Sequence, residues 1–269
     1  MYPVLLNLGF ATIKSYGFFI AIGFLCALRV VKVLAPRSGL PENQMLDLSF
    51  YTLLVGLLGA RIFFIFDSFN HFRLYPLEIF QVWKGGLSFL GGPLLCTPFL
   101  IGYARRKRLP IWKILDIMAP ALAIGHCFGR IGCFLAGCCY GKFTNLPIGV
   151  KLSSEFVDSS VRGVPIHPVQ LYESAGLFIL FLFLNKLFRM KKFDGQVGLT
   201  YAFLYPLFRI GLEYFRGDPY EGFLTHWFSV RQTFYLACIV ATIIAFYLRW
   251  NFLKLENAMP LKKSKKRKV

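Results

Sequence analysis

The chain has 269 residues, 56% of them hydrophobic and 16% charged, with a mean hydropathy of +0.56. A soluble protein of this size carries about a quarter charged residues, so too few are present to coat a water-facing surface. That excludes a disordered chain and argues against an ordinary soluble enzyme. A formal charge of +18, from 31 Lys and Arg against 13 Asp and Glu, would suggest nucleic acid in a soluble protein. In a membrane protein it reads as the positive-inside bias, and the apolar composition favours that reading.

A helix needs about 20 mostly apolar residues to cross the hydrocarbon core. Seven segments are candidates: 15–35, 45–66, 87–104, 114–137, 168–188, 196–215 and 230–250. The first lacks a small-residue cleavage site, so it reads as a span and not a signal peptide. The third, fourth and sixth are interrupted by Gly, Pro and charged residues. The expected fold is therefore all-α: a polytopic membrane protein of about seven transmembrane helices. Residues 1–250 form one membrane domain, with an outer loop near 141–166 bracketed by Gly141, Pro147, Gly149, Gly163 and Pro165. Residues 251–269 form a basic tail. No internal repeat is evident.

The basic residues orient the spans. Roughly two thirds of the Lys and Arg fall in the loops after spans one, three and five and in the C-terminal tail. Among them are Arg29, Lys32, Arg37, Arg105, Arg106, Lys107, Arg108, Lys186, Arg189, Lys191 and Lys192. The N-terminus is thus expected outside and the C-terminus in the cytoplasm. The terminal KKSKKRKV resembles a nuclear-import signal in isolation. On a multispan protein it fits anionic headgroups better.

Ionisable groups within the bilayer are functional candidates by default. Arg130 lies in span four, within GRIGCFLAGCCYGK, and Arg209 in span six, within YPLFRIGLEYFRGDP. Helical spacing places Arg209, Glu213 and Arg216 on one face. Two readings are open: an Arg–Glu–Arg clamp between helices, or one arginine held by Glu213 and another left for an anion. Arginine suits phosphate because its planar fork donates two parallel hydrogen bonds. His167, Gln170, Tyr172 and Glu173, in IHPVQLYES, are a richer set than a helix cap needs. The glycines of WKGGLSFLGGP allow close approach of a helix or of a ligand. Cys127, Cys133, Cys138 and Cys139 have no standard zinc spacing. On a helix, Cys138 and Cys139 would point about 100° apart. Small packing residues are the plain reading of these cysteines, thiol redox chemistry the other; no metal or cofactor is expected.

These motifs, in this order, resemble the prolipoprotein diacylglyceryl transferase family. The pieces are SYGFF, GLLGARIFF, WKGGLSFLGG, DIMAPALAIGHCFGRIGCFLAGCCYGK, HPVQLYES and YPLFRIGLEYFRGDP, from about Tyr16 to Pro219. The resemblance implies seven spans, the bacterial cytoplasmic (inner) membrane, and a reaction. The diacylglyceryl group of phosphatidylglycerol passes to the lipobox cysteine of a prolipoprotein signal peptide, a thioether forms and glycerol phosphate leaves. The implied partners are phosphatidylglycerol, prolipoproteins and membrane lipids, not nucleic acid. Carried over by motif, Arg130 matches the signature arginine associated with phosphatidylglycerol binding. Tyr16, Gly141, Tyr205 and Arg209 match other positions important in the family; Glu213 and Arg216 complete the sixth-span motif, and His167, Gln170, Tyr172 and Glu173 the fifth. Arg209 and Arg130 are expected as a phosphate clamp, with Glu213 orienting an arginine.

The sequence also departs from the family pattern. The third-span motif GGxSFHGG has Leu90 in place of its histidine, a favoured general-base candidate. The signature GRxGNFxNGExxG has Cys133, Ala136 and Cys138 in place of two Asn and an acid. His126, one turn before Arg130, is a conceivable replacement base; a histidine hydrogen-bonded between helices is the plainer reading. The competing functions are a divergent paralogue with another acceptor, a lipid-binding protein without catalysis, and a small transporter.

Overall fold

The computed structural model describes residues 2–7, 12–81, 85, 86, 88, 90–153, 157, 159, 161–217 and 230–258. Part of the WKGGLSFLGGP motif, the end of the sixth-span motif at Pro219, and the tail from 259 to 269 lie outside the described residues. Each of the seven expected segments carries a helix: α1 (Ser15–Arg37), α2 (Glu42–Asp67), α4 (Gly91–Arg106), α5 (Ile111–Ala136), α6 (Val169–Met190), α7 (Gln196–Glu213) and α8 (Val230–Ala258). A short α3 (Phe69–Leu74) and a 3-10 turn (Pro76–Phe80) follow α2. Among the described residues, five helices are long and apolar enough to cross a membrane: α1, α2, α5, α6 and, within α8, Gln232–Leu255. The described part of α4 is 16 residues long and α7 is 18.

The chain is mostly helical, compatible with the expected all-α membrane fold, and two short strand pairs are added to it. β1 (Val4–Asn7) pairs antiparallel with β2 (Thr12–Lys14) just ahead of α1. β3 (Val150–Lys151) pairs with β4 (Pro165–Ile166) inside the expected outer loop. Tyr140, Leu152, Val157 and Ile166 form a small apolar cluster there. Burying those four side chains holds the loop together.

α5 is the central helix and packs against α1, α6 and α7. In its most apolar window 56% of residues are buried, against 22% in α1 and none in α8. The remaining apolar surface of α1 and α8 faces outward, as a hydrocarbon solvent requires. Small residues line the seams. Gly59 of α2 and Gly91 of α4 meet so closely that a Cβ on either would collide with the other's carbonyl oxygen. The third-span glycines therefore serve helix packing at this point, and α4 begins at Gly91, later than the expected residue 87.

Two polar nodes fasten the bundle. Arg61, within α2, donates to the carbonyls of Ile79 (3.0 Å), Gly85 (2.8 Å), Gly86 (3.0 Å) and Glu78. It thus ties down the chain that follows the 3-10 turn. Asp116 of α5 is fully buried. It accepts the backbone N–H groups of Gly195, Val197 and Gly198 at 2.9, 2.8 and 3.0 Å, and the Lys191 ammonium at 2.8 Å. The carboxylate therefore caps the N-terminus of α7 from a neighbouring helix, where unpaired amides and the helix dipole favour an anion.

α7 and α8 are joined through a proline. Pro206, inside α7, has no N–H to give the carbonyl of Ala202 four residues earlier. The Thr242 hydroxyl of α8 donates chiefly to the Cys238 carbonyl of its own helix at 2.7 Å and approaches the Ala202 carbonyl at 3.3 Å, so one proton is shared between the two.

Candidate active site

The helices bring their polar groups together at one end. Arg130 lies six residues before the end of α5, Glu173 four residues after the start of α6, and Arg209 four before the end of α7. At 1.5 Å per residue, all three lie about 6–9 Å below the helix ends. They converge on one atom. Glu173 Oε2 accepts Arg209 Nη1 at 2.8 Å and pairs with Arg130 Nε at 3.0 Å. Glu173 Oε1 accepts the Tyr205 hydroxyl at 3.2 Å. The carboxylate is 1% exposed, so its charge needs these donors.

The two arginines are committed differently. Arg209 is 3% exposed and also donates Nε to the Tyr235 hydroxyl at 3.1 Å; its Nη2 lies 4.0 Å from Glu213. The Arg130 side chain is 20% exposed and meets Glu173 through Nε. Among the described residues its two terminal nitrogens take no hydrogen-bond acceptor, so that edge of the fork can meet an anion.

This changes the expected division of labour. Two carboxylates are each shared by two guanidiniums: Glu213 lies between Arg209 and Arg216 as helical spacing implied, and Glu173 lies closer, between Arg209 and Arg130. Glu213 ends α7, 4.0 Å from both Arg209 Nη2 and Arg216 Nε. Arg216 lies beyond the helix end and still faces Glu213. There its backbone bridges Gly141. Gly141 N–H donates to the His167 carbonyl at 3.1 Å, and a Cβ at Gly141 would collide with that oxygen. His167 in turn donates its N–H to Lys142 O at 2.9 Å, and its Nδ1 lies 3.2 Å from the Tyr172 hydroxyl. Gly141, His167, Tyr172 and Arg216 thus build the scaffold beside the ionic cluster.

Tyr205 is sandwiched by rings, stacked on Tyr201 with 5.6 Å between centroids and tilted against His126 at 5.6 Å. His126 Nδ1 is buried, and among the described residues it has no hydrogen-bond partner. The expectation of a histidine bonded between helices is not met at that nitrogen. Tyr16 is 42% exposed at the start of α1, and its backbone packs on Gly132 of α5. Gln170, 2% exposed, donates Nε2 to the Cys138 carbonyl at 2.7 Å. Leu90 is 54% exposed at the head of α4. A pocket lined by Arg61, Phe64, His71, Phe72 and Glu78 shares no residue with this cluster.

The cysteines divide. Cys127 packs as expected, its Sγ 3.2 Å from Ser174 Oγ across the α5–α6 seam. Cys133, Cys138 and Cys139 do not keep helical spacing. α5 closes at Gly137 with φ +82°, and Cys139 takes φ +60°. The chain doubles back, and the three Sγ atoms come within 4.8 Å of one another. The Cys138 thiol donates to the Cys133 carbonyl at 3.7 Å. Sequence reasoning also missed Tyr235, which reads in isolation as an interfacial aromatic, and Asp116.

Comparison with known proteins agrees with the motifs. The family model described as prolipoprotein diacylglyceryl transferase matches residues 3–248. The chain is similar to proteins named phosphatidylglycerol–prolipoprotein diacylglyceryl transferase from several bacteria. It is 34% identical to that of Clostridium tetani over 220 residues, 81% of this chain and 87% of that protein. For Geobacter sulfurreducens the values are 35% over 236 residues, 86% and 88%. For Aliivibrio salmonicida they are 33% over 268 residues, 97% and 92%.

Proposed function

The chain belongs to the prolipoprotein diacylglyceryl transferase family, it transfers the diacylglyceryl group of phosphatidylglycerol to prolipoprotein, and we propose that Arg130 is the guanidinium that receives the lipid phosphate. The observation that carries this role is the division of Glu173 between two arginines. Arg209 is held from several sides, whereas Arg130 gives Glu173 only its Nε and keeps its terminal nitrogens for another acceptor.

In this reading Glu173 fixes the two cations side by side and Tyr205 fixes Glu173. The phosphodiester docks on the outer edge of Arg130, with its acyl chains in the bilayer. As the glyceryl carbon–oxygen bond breaks, negative charge grows on the departing glycerol phosphate. A preorganised guanidinium favours that charge most when it is fully developed, which lowers the barrier to transfer. His126, with its uncommitted buried nitrogen one turn from Arg130, is the proposed acceptor of the lipobox thiol's proton, since the thiolate is the reacting form. Tyr16, Gly141, His167, Gln170, Tyr172 and Arg216 shape the surrounding chamber.

The membrane arrangement belongs to the same proposal. Seven spans with the N-terminus outside and the C-terminus in the cytoplasm put the ionic cluster near the outer face of the bacterial inner membrane, within one domain over 1–250 followed by a basic tail. The excess of Lys and Arg in alternate loops supports it.

The test is transfer from phosphatidylglycerol to a lipobox peptide by the purified protein in detergent. Arg130→Ala is expected to lower kcat/KM by about 100-fold or more, as for loss of one transition-state donor, with Arg130→Lys partly active. Arg209→Ala is expected to fall similarly, through displacement of Glu173. An Arg130→Ala protein that keeps parental activity overturns the assignment.

A further inference from the structure

Three thiols stand together at the end of α5. Cys133 is on its last turn, and Cys138 and Cys139 follow in the reversal beyond Gly137, with all three Sγ atoms within 4.8 Å of one another. The backbone carrying them is tied at several points. Gly137 and Cys138 donate their N–H groups to the Cys133 carbonyl at 3.0 and 3.2 Å, and Gly217 donates to the Tyr140 carbonyl at 3.1 Å. The buried Gln170 holds the Cys138 carbonyl from α6. Cys133 is buried, Cys139 half-buried and Cys138 exposed, so the cluster has a closed back and an open front. Cys133 lies three residues after Arg130 on α5, hence about one turn away on the same side, and the chain from Tyr140 to Gly141 pairs with Arg216 and Gly217. The sulfurs therefore adjoin the proposed phosphate-binding arginine.

We propose that Cys133, Cys138 and Cys139 form a zinc site whose fourth, open position takes the acceptor thiol of the prolipoprotein. Three protein ligands with one open position is the arrangement of catalytic zinc. Thiolate sulfur selects zinc or copper(I) over magnesium or calcium. With zinc–sulfur bonds of about 2.3 Å, tetrahedral ligation sets the sulfurs about 3.8 Å apart. The observed limit exceeds that by about 1 Å, within the reach of small side-chain rotations. Three thiolates outweigh the charge of one zinc ion, and Arg130 and Arg216 offset the surplus.

The role rests on the transferase reading above and deepens it by adding the device that prepares the nucleophile. A thiol bound to zinc is deprotonated outright; its proton passes to His126 or to water at the open face. The sulfur lone pair forms the bond to the glyceryl carbon that carries the phosphate. The carbon–oxygen bond breaks with its electron pair on the phosphate oxygen, and glycerol phosphate leaves. The product thioether is neutral, a weaker ligand than the thiolate, and so vacates the metal. No oxidant or reductant is needed.

The experiment uses the full chain, purified in detergent under reducing conditions, with Zn2+ and Co2+ as probes. About one equivalent of zinc per chain is expected to survive dialysis, and Co2+ to give a sulfur-to-metal charge-transfer band in the near ultraviolet. Cys133→Ser, Cys138→Ser and Cys139→Ser are each expected to weaken binding about 10-fold or more, while Cys127→Ser leaves it unchanged. A lipobox peptide is expected to shift the cobalt spectrum, and its Cys→Ser counterpart to leave it unmoved. Transfer by a protein that holds neither metal, or that holds only copper(I), overturns the zinc site while the transferase reading stands. A cobalt spectrum indifferent to the cysteine peptide overturns the acceptor role. Metal binding and a peptide-dependent spectrum without any transfer support the site and count against the reaction.

Discussion

Glu173→Gln removes one charge and almost no volume, so it isolates the electrostatics of the ionic cluster. An amide oxygen in the place of Oε2 still accepts from Arg130 and Arg209, and the new NH2 can face the Tyr205 hydroxyl. What is lost is the charge assistance of one hydrogen bond, from Arg209 at 2.8 Å, and the ion pair with Arg130 at 3.0 Å, in a carboxylate only 1% exposed. Bonds to a charged group contribute about 1.5–3 kcal/mol and neutral ones about 0.5–1.5, so the Arg209 bond loses about 1–1.5 kcal/mol, and losing the part-buried ion pair with Arg130 adds a similar amount, about 2–3 kcal/mol in all. Repulsion between the two guanidiniums adds in the same direction. For a chain of this size 1 kcal/mol is about 2–4 °C in Tm, so the midpoint should fall by about 5–10 °C. Thermal unfolding in detergent, followed by intrinsic fluorescence at one scan rate, reads this directly. In an Arg209→Met background one of the two pairs is already gone, and the same substitution should cost about half as much. A Glu173→Gln midpoint within about 1 °C of the parent, or an equal drop in both backgrounds, refutes the shared-carboxylate argument.

Asp116→Ala strips three α7 amides and Lys191 of their acceptor at once; breaking a buried pair this way costs about 3–5 kcal/mol, to be seen as a lowered midpoint or lost expression. The Lys191 ammonium is discouraged by burial, yet its hydrogen bonds and charge pairing with Asp116 and Asp194 outweigh that and raise its pKa above the ordinary 10.5. Its contribution is therefore complete below pH 10.5 and lost as pH rises through the higher folded value. Alkaline titration should show the parent losing stability there and Lys191→Met showing a smaller loss. His126→Ala should reduce transfer by about 100-fold with binding of phosphatidylglycerol retained, the signature of a lost proton acceptor; full activity removes His126 from the mechanism.

Much of the helical frame was legible because apolar runs long enough to span announce themselves by composition alone. Arg130 and Arg209 stood out because a guanidinium in such a run is costly. Their partner was harder to read. Helical spacing pointed to Glu213, one turn from Arg209, whereas the bonded carboxylate is Glu173, on another helix and 36 residues away in sequence. Periodicity describes one helix at a time and says nothing about which faces meet. The cysteines were misread for a similar reason. The 100° rule separates Cys138 from Cys139 only while the helix continues, and it stops at Gly137. Asp116 went unnoticed because its donors are mostly backbone amides, which no side-chain motif records.

The proline in α7 lies on the seam with α8 that also holds Arg209. Ala202, whose carbonyl Pro206 leaves unpaired, lies seven residues before Arg209, and Thr242, which approaches that carbonyl, lies seven residues after Tyr235. Seven residues are two turns, about 10.5 Å, so on antiparallel helices the two contacts are rungs of one ladder with matched spacing. The approach of Thr242 to Ala202 and the bond from Arg209 Nε to Tyr235 thus belong to one register of α8 along α7. The carbonyl that proline leaves open and the ring beside the buried cation are therefore read along the same seam, two turns apart.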